Sequence, residues 1–304
     1  MRGAILTGGY GTRLLPLTEN VAKAMLPVAG KPILQCLLEN FPLDTTPIIS
    51  TNKRFEPELK KFVRDKKIKI KAVVEDSRME EQKLGSVGAI QYLVEKEKID
   101  EPLLLIAGDN LLELDLSKFV KAYRGNLMIA VYDIGDIEKV RNRYGSVILG
   151  PDNAIVDFEE KPAQPKTTLV STGVYIFPPD TLKMLPEFLA SENKKKDAMG
   201  YFCKYLLKTK NIKADAYIFS EHWFDIGSRG AYIEANQHYA KADSYYGKDV
   251  KIENSKVSSS VLLGNTTVTD SELEGCAVDE DCLISGVKLR NCVIGKGTKI
   301  KSAP

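Results

Sequence analysis

Short apolar runs and helix-spaced apolar residues alternate through the first two thirds of the chain. The runs at residues 3–7 and 103–107 are nearly uninterrupted, which predicts strands buried on both faces of a sheet. Apolar residues three and four positions apart predict helices between such runs, as on the face formed by Val87, Ile90 and Leu93. Helices are predicted at residues 32–41, 56–65, 180–189 and 198–209, and further strands at 47–51, 68–74, 127–132, 145–149, 154–158, 170–177 and 214–219. This alternation predicts an α/β fold with a mixed, mainly parallel sheet flanked by helices.

The pattern of residue types changes after about residue 246. Short apolar residues are separated there by Gly, Asn, Ser, Thr and Asp, and the pairs Leu262/Val268 and Ile294/Ile300 are each six positions apart. This spacing is typical of hexapeptide turns in a left-handed β-helix, with room for about three coils. We therefore predict a large domain at residues 1–245 and a short hexapeptide-repeat β-helix at 246–304. Because so few coils bury little area by themselves, we expect them to cap the large domain or to form an interface in a homo-oligomer.

Charge and composition argue against several classes of protein. Lys and Arg total 43 against 41 Asp and Glu, and the net charge of +2 comes without a basic tail, which argues against a nucleic-acid partner. The amino terminus lacks the apolar core of a secretory signal, and no stretch approaches the roughly 20 apolar residues that span a bilayer. Five cysteines without a C-x-x-C pair fit reduced thiols. We therefore expect a cytoplasmic globular protein without membrane contact.

Three glycines, Gly8, Gly9 and Gly11, follow the first predicted strand. Open α/β sheets bind ligands at the carboxyl ends of strands, and glycines let backbone N–H groups approach an anion closely. Arg13 adds a guanidinium and Lys23 an ammonium. The run matches neither the G-x-G-x-x-G dinucleotide fingerprint nor a Walker A loop. We interpret it as a polyphosphate site, with an ordinary glycine turn as the alternative for the glycines alone.

The residues after these glycines carry a longer signature. They continue as T-R-L-x-P-L-T and then as K-x-M-L-P-V-x-x-K-P-I-L, and this run resembles the signature of the sugar-1-phosphate nucleotidylyltransferases. Ala22 departs from the family pattern, in which proline precedes the lysine that matches Lys23. The resemblance implies a Rossmann-like fold of the nucleotide-diphospho-sugar transferase type, with residues 1–245 as the catalytic domain. It implies that Arg13 and Lys23 are catalytic. The nucleotide-binding residues that it implies in this region are Leu6, Gly8, Gly9, Gly11 and Thr12.

Residues 81–90 join a loop to a predicted helix. Gln82 can both donate and accept hydrogen bonds, and Gly85 permits a close backbone approach, so the pair suits the edge of a base. An exposed glutamine and a glycine at a helix start would explain the same residues without a ligand. The stretch resembles the family's base-reading segment P-L-G-T-A-G-A, with Lys83 in place of proline, which implies that Gln82 and Gly85 bind the nucleotide.

Two aspartates are candidate ligands for a metal ion. Asp109 follows the buried run at residues 103–107, and Asp225 precedes a helix that Ser228 is predicted to cap. Carboxylates are ligands that Mg²⁺ accepts together with substrate phosphates. A turn residue and a helix-start residue are the ordinary alternatives. The contexts G-D-N and W-x-D-x-G resemble the family's metal motifs, which implies that Asp109 and Asp225 bind Mg²⁺.

The middle of the chain holds a second group of polar motifs, which are Y-G, E-E-K-P and S-T-G in that order. A solvated charged turn would explain E-E-K-P by itself. Carboxylate, ammonium and backbone groups also suit a phosphorylated sugar. The order resembles the family's sugar-binding half, which implies a sugar-phosphate site formed by Gly145, Glu160, Lys161, Thr172 and Gly173.

The resemblance covers nearly the whole chain and implies a specific reaction. The phosphate oxygen of a sugar 1-phosphate attacks the α-phosphorus of a nucleoside triphosphate and releases pyrophosphate. A phosphate monoester is already mostly ionised at neutral pH, so the protein positions groups and neutralises charge without a general base. We expect dTTP or UTP with glucose 1-phosphate. The alternatives are GTP with mannose 1-phosphate, a non-catalytic regulatory subunit of the same fold, and a nucleotide-sugar binding module.

All of these candidate residues lie at or before Asp225. The only histidines, His222 and His238, precede the β-helical tail, so the tail carries no histidine base for a second activity. We therefore expect that removing residues 251–304 leaves the candidate site in place and changes only stability or assembly.

Overall fold

The computed structural model describes residues 1–191 and 198–302. Contacts divide the chain into two compact units. The sheet unit comprises Met1–Gly8 and Leu38–Trp223, and the β-helix unit comprises Gly9–Leu37 and Phe224–Pro304. The predicted domain boundary between residues 245 and 246 is a different division of the chain, and it stays a prediction.

The elements are numbered here along the whole chain. The strands are β1 (Arg2–Leu6), β2 (Pro27–Val28), β3 (Lys31–Pro32), β4 (Ile48–Asn52), β5 (Lys71–Glu75), β6 (Leu103–Ala107), β7 (Asn110–Leu112), β8 (Leu127–Asp133), β9 (Gly145–Leu149), β10 (Ile155–Glu160), β11 (Leu169–Phe177), β12 (Ala214–Phe219), β13 (Trp223–Asp225), β14 (Tyr245–Tyr246), β15 (Lys251–Glu253), β16 (Lys256–Ser258), β17 (Val261–Leu262), β18 (Thr267–Thr269), β19 (Glu272–Glu274), β20 (Ala277–Val278), β21 (Leu283–Ser285), β22 (Lys288–Arg290), β23 (Val293–Ile294) and β24 (Lys299–Lys301). The helices are α1 (Ile33–Glu39), α2 (Glu56–Lys66), α3 (Gly85–Glu97), α4 (Leu116–Ala122), α5 (Ile137–Val140), α6 (Pro179–Leu182), α7 (Leu185–Ala190), α8 (Met199–Lys208) and α9 (Arg229–Ala240). Across the described part of the chain, no helix is both long enough and apolar enough to cross a bilayer.

Nine strands in the described part of the sheet unit form one mixed sheet. Its parallel half has the order β5–β4–β1–β6, and Ala4 pairs with Ile48 on one side and with Leu105 on the other. Next to β6, β11 runs antiparallel and leads to β9 and β10, and it also pairs with β8, which carries β12. The predicted mixed sheet is confirmed. Its parallel half brings the carboxyl ends of β5, β4, β1 and β6 to one edge, where the predicted ligand loops begin.

The continuous apolar runs in the sequence explain why the central strands of this sheet are buried. Ile5 in β1 and Ile106 in β6 are fully buried, as continuous apolar runs predict for strands that are covered on both faces. Val87, Ile90 and Leu93 form the buried side of α3 and belong to the same core cluster. The predicted amphipathic helix is therefore confirmed.

One predicted helix is wrong in detail. The segment predicted as a single helix at 180–189 forms two short helices, α6 and α7, with a break at residues 183–184. Pro186 has no N–H to donate to the carbonyl of Leu182, which explains why one continuous helix does not form.

The tail of the β-helix unit is a series of parallel strands consistent with a left-handed β-helix. Each strand pairs with the strand 16 residues further on, as Tyr245 does with Val261 and Lys251 with Thr267. The six-residue spacing read from the sequence therefore applies to one side of each coil, because the other two sides are five residues long. The interior is apolar and includes Leu262, Val268 and Ile284.

Candidate active site

In the sheet unit, the glycine run begins on the ends of two neighbouring strands. Asn52, the last residue of β4, donates from Nδ2 to the Gly8 carbonyl at 2.9 Å. Glu75, the last residue of β5, lies so close that a Cβ atom on Gly8 would be 2.9 Å from Glu75 Oε1. A side chain at position 8 would therefore displace the Glu75 carboxyl group. Leu6 lies at the end of β1.

Glu75 is a buried carboxyl group that the sequence interpretation did not identify. Its side chain receives hydrogen bonds from the Leu84 backbone N–H and from Ser77, and Oε2 has no partner among the described residues. Burial raises the pKa of Glu75, and the two hydrogen bonds only partly oppose that shift. Its position at the end of a predicted strand beside the glycine run could have identified it, since strand ends are where an open sheet places polar groups.

The proposed base-reading residues lie in a local turn followed by a helix. Gln82 ends a 3₁₀ turn, is exposed, and accepts a hydrogen bond from the Arg78 backbone N–H at 3.0 Å. Gly85 starts α3 with φ +75°, a conformation that favours glycine. The connection from Leu84 to Glu75 ties this stretch to the glycine run within the sheet unit. The role of Gln82 and Gly85 in base binding stays a prediction.

Asp109 lies directly after β6 in a constrained backbone. Gly108 donates to the Leu6 carbonyl at 2.8 Å, and a Cβ atom on Gly108 would be 2.5 Å from that oxygen. Asp109 Oδ1 accepts from Asn110 Nδ2 at 2.8 Å, and Asn110 Oδ1 accepts from the Trp223 indole N–H at 2.7 Å. The buried Asn110 therefore orients the Asp109 carboxylate, a contribution that the sequence interpretation missed.

Gly173 approaches the same asparagine. It has φ +80°, and a Cβ atom there would lie 3.2 Å from Asn110 Nδ2. Its neighbour Thr172 is buried and donates from Oγ1 to the Ala130 carbonyl at 3.0 Å, so its hydroxyl already holds β11 to β8. The structure thus brings Asp109 and Gly173 together, while the sugar-binding role of Thr172 and Gly173 stays a prediction.

Glu160 and Lys161 lie at the end of β10. Lys161 Nζ is 3.8 Å from Glu160 Oε1, and only 9% of the Glu160 side chain is exposed. Gly145 pairs with Glu160 across β9 and β10, and a Cβ atom on Gly145 would be 3.0 Å from Glu160 Oε2. Burial raises the pKa of Glu160, and the ammonium of Lys161 opposes that shift. This geometry confines a carboxylate beside a cation, and the role of Gly145, Glu160 and Lys161 in binding a sugar phosphate stays a prediction.

The β-helix unit brings together the other three predicted charged residues. Lys23 is 8% exposed, and its Nζ lies 3.9 Å from Asp225 Oδ1. A Cβ atom on Gly227 would be 3.2 Å from Arg13 Nη2 and 3.1 Å from Asp225 Oδ2. Two cations and one carboxylate therefore converge around Gly227. The carboxylate oxygens are donors that suit a hard divalent cation, and the cations suit phosphate oxygens.

The turn that carries Arg13 is tightly closed. Gly11 has φ +64°, and its carbonyl accepts from Thr18 Oγ1 at 2.8 Å. Arg13 and Thr12 lie in the 3₁₀ turn that follows Gly11. Gly9 is exposed and would accommodate a Cβ atom without a contact inside 4 Å. The glycine requirement in this turn is therefore specific to Gly11.

Further contacts hold the rest of the segment 9–37 within its unit. The Ala29 N–H donates to Asn236 Oδ1 at 2.9 Å, and the Tyr232 hydroxyl donates to the Pro27 carbonyl at 2.7 Å. Both partners lie on α9 and are fully buried. Sequence reasoning could not find these contacts, because more than 200 residues separate the partners and the partners on α9 carry no motif.

The tail also contacts this segment. A Cβ atom on Gly295 would lie 2.9 Å from Pro16 Cγ, so the proline ring packs directly on the backbone beside β23. Arg229 at the start of α9 donates to the carbonyl of Asn291, and its Nη2 lies 3.1 Å from Asn291 Oδ1. Pro16 follows Arg13 by three residues. The expectation that the tail could be removed without affecting the candidate site is therefore not supported by these contacts.

Comparisons with known proteins show the family of the chain. The family model described as Nucleotidyl transferase matches residues 2–242. The bifunctional protein GlmU of Methanocaldococcus jannaschii is 32% identical over 243 residues, which cover 78% of this chain and 54% of that protein. A glucose-1-phosphate adenylyltransferase of Clostridium perfringens is 28% identical over 333 aligned positions, covering 98% of this chain and 81% of that protein. This chain thus spans about half the length of the GlmU relative.

A solved structure shows the same fold. The crystal structure of a candidate glucose-1-phosphate thymidylyltransferase from Bacillus anthracis superposes with a TM-score of 0.67 at 22% identity. The superposition covers 82% of this chain and 98% of the other. The predicted Rossmann-like sheet with flanking helices is therefore confirmed.

Proposed function

We propose a function from one premise: the chain belongs to the nucleotidyl transferase family, whose model matches residues 2–242. The proposed reaction transfers a nucleoside monophosphate from a nucleoside triphosphate to a sugar 1-phosphate and releases pyrophosphate. The proposed substrates are dTTP or UTP and glucose 1-phosphate. The curated relatives include an adenylyltransferase for glucose 1-phosphate, which supports the sugar and leaves the base to be measured.

The observation that carries this proposal is the convergence of Arg13, Lys23 and Asp225 around Gly227 in the β-helix unit. Two cations held beside a carboxylate suit a polyphosphate that arrives with a divalent cation. A non-catalytic subunit or a binding module could dispense with these charges. Their presence therefore favours catalysis over both alternatives.

Each residue has a proposed role. Arg13 would hold the triphosphate and the leaving pyrophosphate, and Lys23 would hold the α-phosphate. Asp109 and Asp225 would bind magnesium, which supplies charge neutralisation on phosphate oxygens when it is bound. Lys161 would hold the phosphate of the sugar and Glu160 would accept from its hydroxyl groups. No protein base is needed, because the attacking phosphate is already ionised at neutral pH.

A substrate matrix tests this proposal. Five nucleoside triphosphates are incubated with the 1-phosphates of glucose, mannose, galactose and N-acetylglucosamine and with magnesium, and both pyrophosphate and nucleotide sugar are measured. The expected result is one strongly preferred pair, containing dTTP or UTP and glucose 1-phosphate. Turnover of GTP with mannose 1-phosphate would replace the proposed substrates but keep the reaction. No turnover of any pair by wild-type protein would contradict the reaction itself.

A further inference from the structure

The carboxylate of Glu160 is largely buried at the end of a strand. It lies at the end of β10, its side chain is 9% exposed, and its nearest cation is Lys161 Nζ at 3.8 Å from Oε1. Burial disfavours the ionised form of such a group. A second interaction that stabilises the negative charge is therefore needed if Glu160 is to act as a pure hydrogen-bond acceptor.

The start of α8 supplies that interaction. The N-cap residue Ala198 makes no side-chain hydrogen bond, although the first N–H groups of a helix have no partner within the helix. Gly200, the second residue of α8, instead donates its backbone N–H to the Glu160 carboxylate. The first turn of the helix also carries a positive partial charge, which favours an anion. A carboxylate from another element thus takes the place of the missing cap.

This approach is possible only because Gly200 has no side chain. A Cβ atom on Gly200 would lie 2.0 Å from Glu160 Oε2 and 2.4 Å from Phe158 Cε1. Gly145 closes the other side, where a Cβ atom would be 3.0 Å from the same oxygen and 2.6 Å from Phe158 Cζ. Gly200 is in an ordinary helical conformation, so the glycine is required by space and not by its backbone angles. Two glycines therefore confine the carboxylate to one position.

We infer that Gly200 is a positioning residue for sugar recognition: because it has no side chain, the Glu160 carboxylate lies against the first turn of α8, and this contact fixes the direction in which its oxygens face the sugar hydroxyls. The inference rests on the proposed role of Glu160 in binding the sugar. It adds a residue from α8, outside every motif read from the sequence, to the group that determines which sugar is accepted. Gly200 itself does not touch the sugar in this account.

A purely structural role for Gly200 predicts a different outcome. If the contact between Gly200 and Glu160 only caps α8, replacing Gly200 changes the stability of the protein. The contribution of the sugar to binding then stays unchanged. Alanine is intrinsically the better helix former, so without the contact to Glu160 the replacement would stabilise α8. The two accounts therefore separate when binding and stability are measured on the same variants.

The decisive measurement is the dissociation constant of dTDP divided by that of dTDP-glucose, both determined by calorimetry on the full chain. This ratio isolates the contribution of the sugar, and it does not depend on turnover. We expect Gly200→Ala to reduce the ratio at least tenfold while the affinity for dTDP itself stays within twofold. Gly230→Ala is the matched control, because Gly230 is the second residue of α9 and its Cβ atom would meet nothing within 4 Å.

Glu160→Asp keeps the test independent of the folding of the α8 variant. It shortens the side chain and withdraws the carboxylate from Gly200 without altering the helix, so the same loss of the ratio is expected. An unchanged ratio in folded Gly200→Ala, an unchanged ratio in Glu160→Asp, or a wild-type ratio near one overturns the inference. Failure of the proposed reaction is seen separately, as absence of pyrophosphate release by the wild-type protein.

Discussion

The two units hold their candidate site residues by different means. In the sheet unit, Gly8, Asp109 and Glu160 lie at the ends of strands whose backbones are paired over several residues. In the β-helix unit, Arg13 lies in a turn held by side-chain contacts, and Lys23 lies in a second short 3₁₀ turn. The first arrangement distributes its support over a sheet. The second depends on a few contacts to α9 and the β-helix, so single distant substitutions should affect it more.

The largest expected effect concerns the carboxylates, one from each unit. Asp109→Asn and Asp225→Asn should each lower kcat by about 10³, because each removes a carboxylate that we propose as a magnesium ligand. Steady-state kinetics over a range of magnesium concentrations checks this result. Asp180→Asn and Asp249→Asn, at exposed aspartates of the two units, are the matched controls. Wild-type rates for either test variant at saturating magnesium would exclude that residue as a ligand.

The cations of the β-helix unit should come next. Arg13→Ala and Lys23→Ala should each lower kcat by about 10² to 10³, the scale for loss of one preorganised donor to developing charge. Exposed Lys248 provides the control variant Lys248→Ala. If only KM changed, the two residues would bind substrate and transition state equally, and the catalytic assignment would be wrong.

The contact between Pro16 and Gly295 tests whether the β-helix supports the Arg13 turn. Gly295→Ala should displace Pro16 and lower kcat by about 10-fold to 10²-fold, because small displacements of a positioned group are costly. Pro16→Ala, which removes the nearest ring atom, should restore part of the rate when combined with it. Lys296→Ala is the neighbouring control, since Lys296 forms its ion pairs within the described residues with Glu280 and Asp281.

Removal of residues 291–304 extends this test. Hydrogen exchange should become faster in residues 9–37 and stay unchanged in β1, β4 and β6, if the tail supports the turn and the sheet supports the strands. Equal hydrogen-exchange rates of residues 9–37 in the full and the shortened chain would instead favour a tail that acts only as a cap.

The success of the predictions from sequence also differs between the sheet unit and the β-helix unit. The buried strand Leu103–Ala107 was located to the residue, because a continuous apolar run between polar turns leaves one interpretation. The six-residue spacing that predicted the β-helix holds for one side of each coil, while strands on the other two sides begin five residues apart. The partners Asn236 and Gly200 carry no motif at all. They are defined by what lies opposite them in the fold, and a linear pattern does not contain that information.

Two buried asparagines, one in each unit, provide a further test of the difference between the units. Asn52 holds Gly8 in the sheet unit and Asn236 holds Ala29 in the β-helix unit, and both are fully buried. Replacing either by alanine should lower the free energy of unfolding by about 1–3 kcal/mol, because a buried backbone group loses its partner. Only Asn236→Ala should also lower kcat clearly, since Gly8 keeps the support of the strands. Urea unfolding and kinetics, with exposed Asn265→Ala as control, decide this.

The smallest expected effect is a pH dependence of stability from Glu75. Its pKa is raised above the ordinary value of 4.5 in the folded protein. Its stabilising contribution is therefore complete below about pH 4.5 and is lost as the pH rises through the folded pKa. Glu75→Gln should gain stability relative to wild type between pH 4 and pH 8. Urea unfolding at several pH values measures this, and a difference that stays constant with pH would contradict the assignment.

The most direct test of nucleotidyl transfer follows one oxygen atom. Glucose 1-phosphate labelled with oxygen-18 in its phosphoryl oxygens is incubated with dTTP or UTP, magnesium and the protein, and the products are examined by phosphorus NMR. Attack of the sugar phosphate on the α-phosphorus predicts label in the bridging oxygen of the nucleotide sugar, seen as an isotope shift on both of its phosphorus signals, with unlabelled pyrophosphate. Label in pyrophosphate, or release of orthophosphate without a nucleotide sugar, would contradict the account.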